Sequence, residues 1–385
     1  MISLGDIAVE RPIGSDNNNA VQEMIKEEMI NLAYEPISLP IECNSWKKGP
    51  SYLEQNGSRI EIFPSPFSKC FSGKGLIIPC GRVDELKNPL IRGNILFIHG
   101  EITKEPLMPK DFPFYFPEEH KNIYETIEKA KPSCVIALTG KSSLCGLDPF
   151  PFFEDGPQEI PSAYVSERLI GKIITGKEAI IEISSSVERK IAEQMVFKKE
   201  GHPKGKIIIC AHMDTKYGTP GALDNAAGVY TLTKLAHLLS NEKDLPEIEI
   251  VPFNGEEYHG VSGQLKYLEY SGDSTIRCVI NIDSPGYLGS KNALSFYNLD
   301  EEEISRAMTG KDDLSRGPEW YAGDHAMFVF RGCPCIVATS SNLFEEAIKV
   351  THTDKDDLSM VDVSLLNSLA NSLKEIIIDL DINKV

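Results

Sequence analysis

The stretch "KGKIIICAHMD" constrains the fold more than any other in the chain. Ile207, Ile208, Ile209 and Cys210 form a continuous apolar run. A strand with one wet face alternates apolar and polar residues, whereas an unbroken run marks a strand covered on both faces. The run therefore predicts an interior strand of a layered sheet, ending at His212 and Asp214. The sequence that follows supports this. "NAAGVYTLTKLAHLLSN" sets Val229, Leu232, Leu235, Ala236 and Leu239 on one stripe at the helical period. "EIEIVPFN" reads as a strand, "VSGQLKYLEY" as the start of a helix and "RCVINIDS" as a strand. "DHAMFVFRG" leads into a further strand, "CPCIVATSS", and "SLLNSLANSLKEIIIDL" closes the chain as a helix. Strands alternating with helices predict an α/β domain with a largely parallel sheet.

Two other regions differ in pattern. Near the start, Pro12, Gly14, Ser15 and Asp16 are turn or cap residues. From Ala20 onward, Val21, Met24, Ile25, Met29 and Leu32 recur at helical spacing, and a short strand is expected around Pro36–Ile41. Between about 51 and 191, short β-prone runs such as "GKGLIIPCGR", "GNILFIHGE", "CVIALTG", "IPSAYVS" and "EAIIEISS" are broken by Pro and Gly, with a helix expected near "EEHKNIYETIEKAK". The segments "FPSPFSKCF" and "GLDPFPFFEDGP" read as loops. A chain of 385 residues is long for one core. The expected organisation is one domain from 1–50 and 192–385, interrupted by a β-rich insert at 51–191.

Composition excludes some partners. The net charge is −18, and the lysines are scattered without a basic patch, so phosphate backbones would be repelled and nucleic acid is not expected. No apolar run approaches the roughly 20 residues that a bilayer crossing needs, so no membrane is expected. The opening segment lacks a basic stretch followed by an apolar one, the mark of a secretory signal. Nine cysteines at irregular spacing, with no C-x-x-C pair, point to a reducing, cytoplasmic setting.

Ligands of open α/β sheets sit beyond the carboxyl ends of the strands. In this chain those ends are rich in acids and imidazoles. His212 and Asp214 follow one strand, Glu256 and Glu257 the next and Asp283 a third; Asp224 precedes the strong helix, and His352 lies in "VTHTDKDDLS" before the last. Singly, each has an ordinary reading: Asp224 as a helix cap, His212 as a strand-end histidine, Asp283 as a turn former, the glutamates as a solvated pair and His352 as a surface residue. Together they place five carboxylates and two imidazoles at one sheet edge, which is destabilising without cations. Two divalent metal ions resolve this. His212 and Asp283 would bind one, Glu257 and His352 the other, and Asp224 would bridge; imidazole and carboxylate are the usual zinc ligands where thiolate is absent. Glu256 is then free to shuttle a proton from a shared water, and Asp214 suits the orientation of the His212 ring.

These residues sit in segments that resemble the M28 family of dinuclear zinc aminopeptidases: "AHMDTKYGTPGALDNAAG", "FNGEE", "NIDSPG", "GDHAMF" and "THTDKDDLSMVD", with "ERPIGSDNNNAVQEMIKEEM" resembling the family's N-terminal helix motif. The resemblance implies a zinc-exopeptidase-like α/β/α domain with a mixed, largely parallel sheet. It implies His212, Asp224, Glu257, Asp283 and His352 as zinc ligands, Glu256 as general acid/base and Asp214 as the orienter of His212. The insert, through "LIRGNILFIHGE", "KAKPSCVIALTG" and "EIPSAYVS", is similar to a protease-associated (PA) domain, a module that in this family borders the active-site cleft. Three features depart from the family pattern. "GEEYHG" is one residue longer than G-E-E-x-G. Thr351 stands where a tyrosine is common, so the donor to a tetrahedral oxyanion is open between Tyr321 and His325. His259 has no family role. His99, His120, His202 and His237 read as structural or surface residues.

The expected activity is removal of N-terminal amino acids from peptides, with Glu256 passing a proton from the attacking water to the leaving amine, and Glu319 a candidate partner for the substrate's free amino group. A carboxypeptidase, deacylase or glutaminyl cyclase could share the same centre, because pocket shape decides among them. A metal-free peptide-binding homologue would predict lost ligands, whereas every ligand position is filled.

Overall fold

The computed structural model of the protein describes residues 1–103, 107–108, 110, 116–139, 160–258, 260–272 and 274–382. The loop expected at "GLDPFPFFEDGP" and His259 both fall outside the described residues. Contacts divide the chain into two units, one of Met1–Cys43, Lys190–Glu257 and Val261–Val385, the other of Asn44–Arg189 and Tyr258–Gly260.

The first unit is built on an eight-stranded sheet. Numbering only its strands, these are β1 (Glu35–Lys48), β2 (Ser185–Lys199), β3 (His202–His212), β4 (Pro246–Phe253), β5 (Ile276–Ile282), β6 (Asn292–Tyr297), β7 (Leu314–Arg316) and β8 (Cys335–Ser340). The spatial order is β1-β2-β4-β3-β5-β8-β6-β7. β3 is parallel to both β4 and β5, and β5 is parallel to β8. β2 and β6 run antiparallel to β4 and β8, making the sheet mixed with a parallel centre. The run Ile207–Cys210 is fully buried, as its lack of alternation requires.

Helices cover both faces. Those of this unit used below are α1 (Asp16–Asn31), α2 (Ala227–Ser240), α3 (Ser262–Ser271), α4 (Glu301–Met308) and α5 (Val363–Ile382). Val21, Ile25 and Met29 of α1, the apolar stripe of α2 and Leu366, Leu369, Leu373 and Ile377 of α5 form one core with Ile207 and Ile209 of β3, Ile248 and Ile250 of β4 and Ile280 of β5. Each such fully buried side chain contributes roughly 1.5–3 kcal/mol. On the other face Tyr267 of α3 meets Phe253 and Phe328 edge-on, with ring centroids 5.5 and 6.0 Å apart. Period-two alternation along β3 assigns its odd residues to one helical layer and its even residues to the other.

Connection order places the site. From β3 the chain passes through α2 to β4, on one side of β3, and then through α3 to β5, on the other. The carboxyl ends of three strands thus meet where the strand order reverses, the crevice in which open α/β sheets bind ligands. The strand expected at Pro36–Ile41 is longer, Glu35–Lys48, and α4, β6 and β7 were not anticipated. β7 has only three residues, too few to show a period, whereas α4 opens on a reciprocal Asp300–Glu303 capping box that the sequence does display.

The second unit holds its own eight-stranded sheet, ordered Ser58–Glu61, Tyr52–Gln55, Glu178–Ile183, Phe71–Cys80, Ile95–Ile98, Cys134–Thr139, Ser162–Ser166, Phe63–Pro64. Its core includes Leu53, Ile77, Ile95, Phe97, Ile136, Val165 and Ile181. The helix expected near "EEHKNIYETIEKAK" is Glu118–Ala130.

Candidate metal centre

Three connections and one loop bring the acidic and imidazole side chains together. His212 is the last residue of β3, Glu256 and Glu257 lie just beyond β4, and Asp283 directly follows β5. Asp224 does not cap α2: the helix begins at Ala227, and Asp224 occupies the buried turn Ala222–Ala226 before it. Asn225 fastens that turn to the end of β5, donating to Ile282 O at 2.9 Å and accepting from Gly228 N at 2.9 Å and Ser284 N at 3.2 Å. A Cβ on Gly228 would fall 2.1 Å from Asn225 Oδ1, so only glycine allows this close approach.

Asp224 stands between two imidazoles. Its Oδ1 is 3.1 Å from His212 Nε2, and its Oδ2 is 3.0 Å from His352 Nε2. His212 Nε2 is also 3.7 Å from Asp283 Oδ1, and His352 Nε2 is 3.1 Å from Glu257 Oε2. His212, Asp224 and Glu257 each offer a ligand atom within 4.8 Å of the others. Asp214 lies behind: its Oδ1 is 3.9 Å from His212 Nδ1, and its two oxygens accept from the backbone N–H groups of Glu256 and Glu257 at 3.1 and 3.2 Å. The carboxylate expected to orient the histidine thus holds the two glutamates by hydrogen bonds, and lies beyond hydrogen-bond distance of His212 Nδ1.

The electrostatics show what this density of charge does. Burial, then the charges of Asp324, Glu257 and Asp283, push the Glu256 carboxyl well above its ordinary range. Burial also raises Asp214 and Asp283. For Asp224 burial acts in the same direction, but hydrogen bonds with His212 and His352 outweigh it and keep the group ionised. Burial opposes charge on both histidines, yet the surrounding carboxylates raise His212 and His352 well above the usual imidazole value. His212 Nδ1 and Glu257 Oε1 are buried without a hydrogen-bond partner. An unpartnered buried carboxylate oxygen inside a set of imidazoles and carboxylates fits a divalent cation of the zinc class. The two pairs, joined by Asp224, fit two such ions.

The remaining candidates stand differently. His325 is fully buried, with Nε2 2.8 Å from Trp320 O and Nδ1 3.3 Å from the Asn281 amide, so both ring nitrogens are engaged. Burial lowers its pKa to about 4, which keeps it neutral. Tyr321 is exposed; its hydroxyl donates to Glu319 at 2.9 Å and its ring stacks on Phe330.

Four residues were not singled out from sequence. Asp356 accepts from Leu223 N at 2.6 Å and Asp224 N at 3.1 Å, and burial lifts its pKa to about 7. Asp324 accepts from Gln264 at 2.5 Å and is likewise raised to about 7 by burial. Arg11 is fully buried and donates to the carbonyls of Val9, Met213, Pro220 and Gly221. Lys216 reaches Glu257. All four lie inside quoted motifs, but nothing in those short windows shows what each side chain contacts.

Comparison with known proteins agrees with this geometry. The model of the family "Peptidase family M28" matches residues 194–377. Aminopeptidase YwaD of Bacillus subtilis (strain 168) is 23% identical over 232 residues, a match spanning 57% of this chain and 49% of that protein. Among solved structures, BSAP, a zinc aminopeptidase from Bacillus subtilis, superposes with a TM-score of 0.76 at 16% identity, covering 98% of this chain and 93% of that one. An aminopeptidase from Aneurinibacillus sp. strain AM-1 gives 0.71 at 16%, covering 97% and 93%. A peptidase M28 precursor from Shewanella amazonensis SB2B gives 0.72 at 16%, covering 100% and 92%. At these identities the superpositions speak for the fold, and the family match speaks for descent: the chain carries a peptidase family M28 domain.

Proposed function

We propose that the protein is a metal-dependent aminopeptidase acting through two divalent ions, most simply zinc. The observation that carries this reading is Asp224 set between His212 and His352, each imidazole flanked by a further carboxylate, Asp283 or Glu257. When bound, such ions supply Lewis acidity to a carbonyl and to a water. The chain's own part is proton handling and placement. Glu256 is the carboxylate whose raised pKa lets it take a proton from the attacking water and return it to the leaving amine. Asp214 keeps Glu256 and Glu257 in place through their backbone N–H groups. The second unit is consistent in its β-rich content with a PA-like insert, 51–191 in our domain division. The described cysteines are all unpaired, in keeping with a cytoplasmic setting, and no helix among the described residues is long and apolar enough to cross a membrane.

The test is hydrolysis of amino-acid p-nitroanilides and of short peptides with free or acetylated N-termini, before and after chelation. Cleavage of free-amine substrates only, lost on chelation and restored by zinc or cobalt, is the expected result. Cleavage confined to blocked substrates would replace the aminopeptidase reading with a carboxypeptidase or deacylase.

A further inference from the structure

Lys216 is a buried lysine beside the cluster, one that the reaction outlined above does not use. It follows β3 by four residues, and its Nζ donates to Glu257 O at 2.7 Å. The same ammonium lies 3.9 Å from Glu257 Oε2, the oxygen that faces His352 at 3.1 Å. Lys216 is 8% exposed and Glu257 is 6% exposed, so neither bulk water nor salt screens the charges effectively. The hydrogen bond to the main-chain carbonyl anchors the ammonium, which therefore stays close to Glu257 whatever else that carboxylate binds. The ligand that this ammonium approaches, Glu257, belongs to the pair with His352. In the other pair, His212 Nε2 lies 3.1 Å from Asp224 and 3.7 Å from Asp283.

We propose that Lys216 makes the two metal positions unequal, weakening the ion held by Glu257 and His352 relative to the one held by His212 and Asp283. This rests on the metal-centre reading above. A fixed positive charge within a few ångströms of a divalent ion repels it, and it draws negative charge from the carboxylate that would bind it. At an empty position the same ammonium supplies Glu257 with a counter-charge. One position then stays filled and the other exchanges with the ion supply.

The experiment is metal titration of the stripped full-length protein with zinc, read by competition with a chromophoric chelator. The wild type is expected to bind two ions of different affinity, the weaker one being lost in Glu257→Gln. Lys216→Met is expected to tighten the weaker ion by about tenfold or more and to leave the stronger one within about threefold. Lys216→Gln, which keeps a donor for the carbonyl but drops the charge, should do the same and carries the test if the methionine variant does not fold. Lys216→Arg keeps the charge and should keep the inequality. If Lys216 merely held the loop in place, its removal would loosen the weaker ion, the opposite sign; that result, or two equal ions in the wild type, overturns the proposal. A wild type that binds no ion at all refutes the metal centre itself, a distinct outcome.

Discussion

Glu256 and Glu257 are adjacent in sequence, yet their surroundings separate them. Glu257 is buried and faces His352, whereas Glu256 is partly exposed and faces the summed charge of Asp324, Glu257 and Asp283. A carboxyl whose pKa is raised by burial takes up a proton more readily than an ordinary carboxylate, as a proton shuttle must. Glu256→Gln should therefore lower kcat by about a hundredfold to ten-thousandfold with little change in bound metal, as measured by steady-state kinetics beside elemental analysis. Retained activity would remove Glu256 from its role. That both glutamates lie at the sheet edge was legible in the order of residues, since "FNGEE" follows a strand. The support given by Asp214 to both backbone N–H groups was not, because it joins positions 42 and 43 residues apart.

At the scale of elements, the site is a set of loops tied together from outside. The segment before α1 sends Arg11 into the connection between β3 and α2, where its guanidinium donates to Met213 O at 2.6 Å, Pro220 O at 3.0 Å and Gly221 O at 3.2 Å. Burial lowers its pKa only to about 10, because Asp214, Asp356, Asp224 and Glu257 oppose the shift, so it remains charged. From α1 itself, Asn18 pairs with Asn254 in a reciprocal amide contact at 3.0 and 3.1 Å, steadying the loop that leads to Glu256. One N-terminal stretch thus holds two of the connections that carry candidate ligands. Arg11→Met would leave several buried carbonyls unpaired and the carboxylates without a cation. It should cost roughly 3–5 kcal/mol of stability, read as a lower urea midpoint at unchanged m-value. A loss below about 1 kcal/mol would mean that the carbonyls find other donors.

For the molecule as a whole, ions that bind only the folded chain stabilise it by mass action. Free zinc at a hundred times its Kd should add about 2.7 kcal/mol per site, and chelation should remove it, seen as a fall in Tm with a matching loss of metal. An unchanged Tm would argue against a folded-state metal centre. The layered architecture behind that centre follows from sequence because its causes are local: the apolar run Ile207–Cys210, the stripe of α2 and the strand-end acids are properties of short windows. Those windows are enough to specify the parallel centre of the sheet, helices on both faces and a cluster of ligand-type residues at one edge. Only the tertiary structure decided which groups surround each of them. Asp224 looks like a helix cap in its own segment, and stands between two imidazoles only where His212 and His352 converge on it. Arg11, Lys216, Asp324 and Asp356 act through contacts made across long stretches of chain, and burial shifts Arg11, Asp324 and Asp356 from their ordinary pKa values. Neither the contacts nor the burial exists until the sheet has closed, which is why no window of sequence displays them.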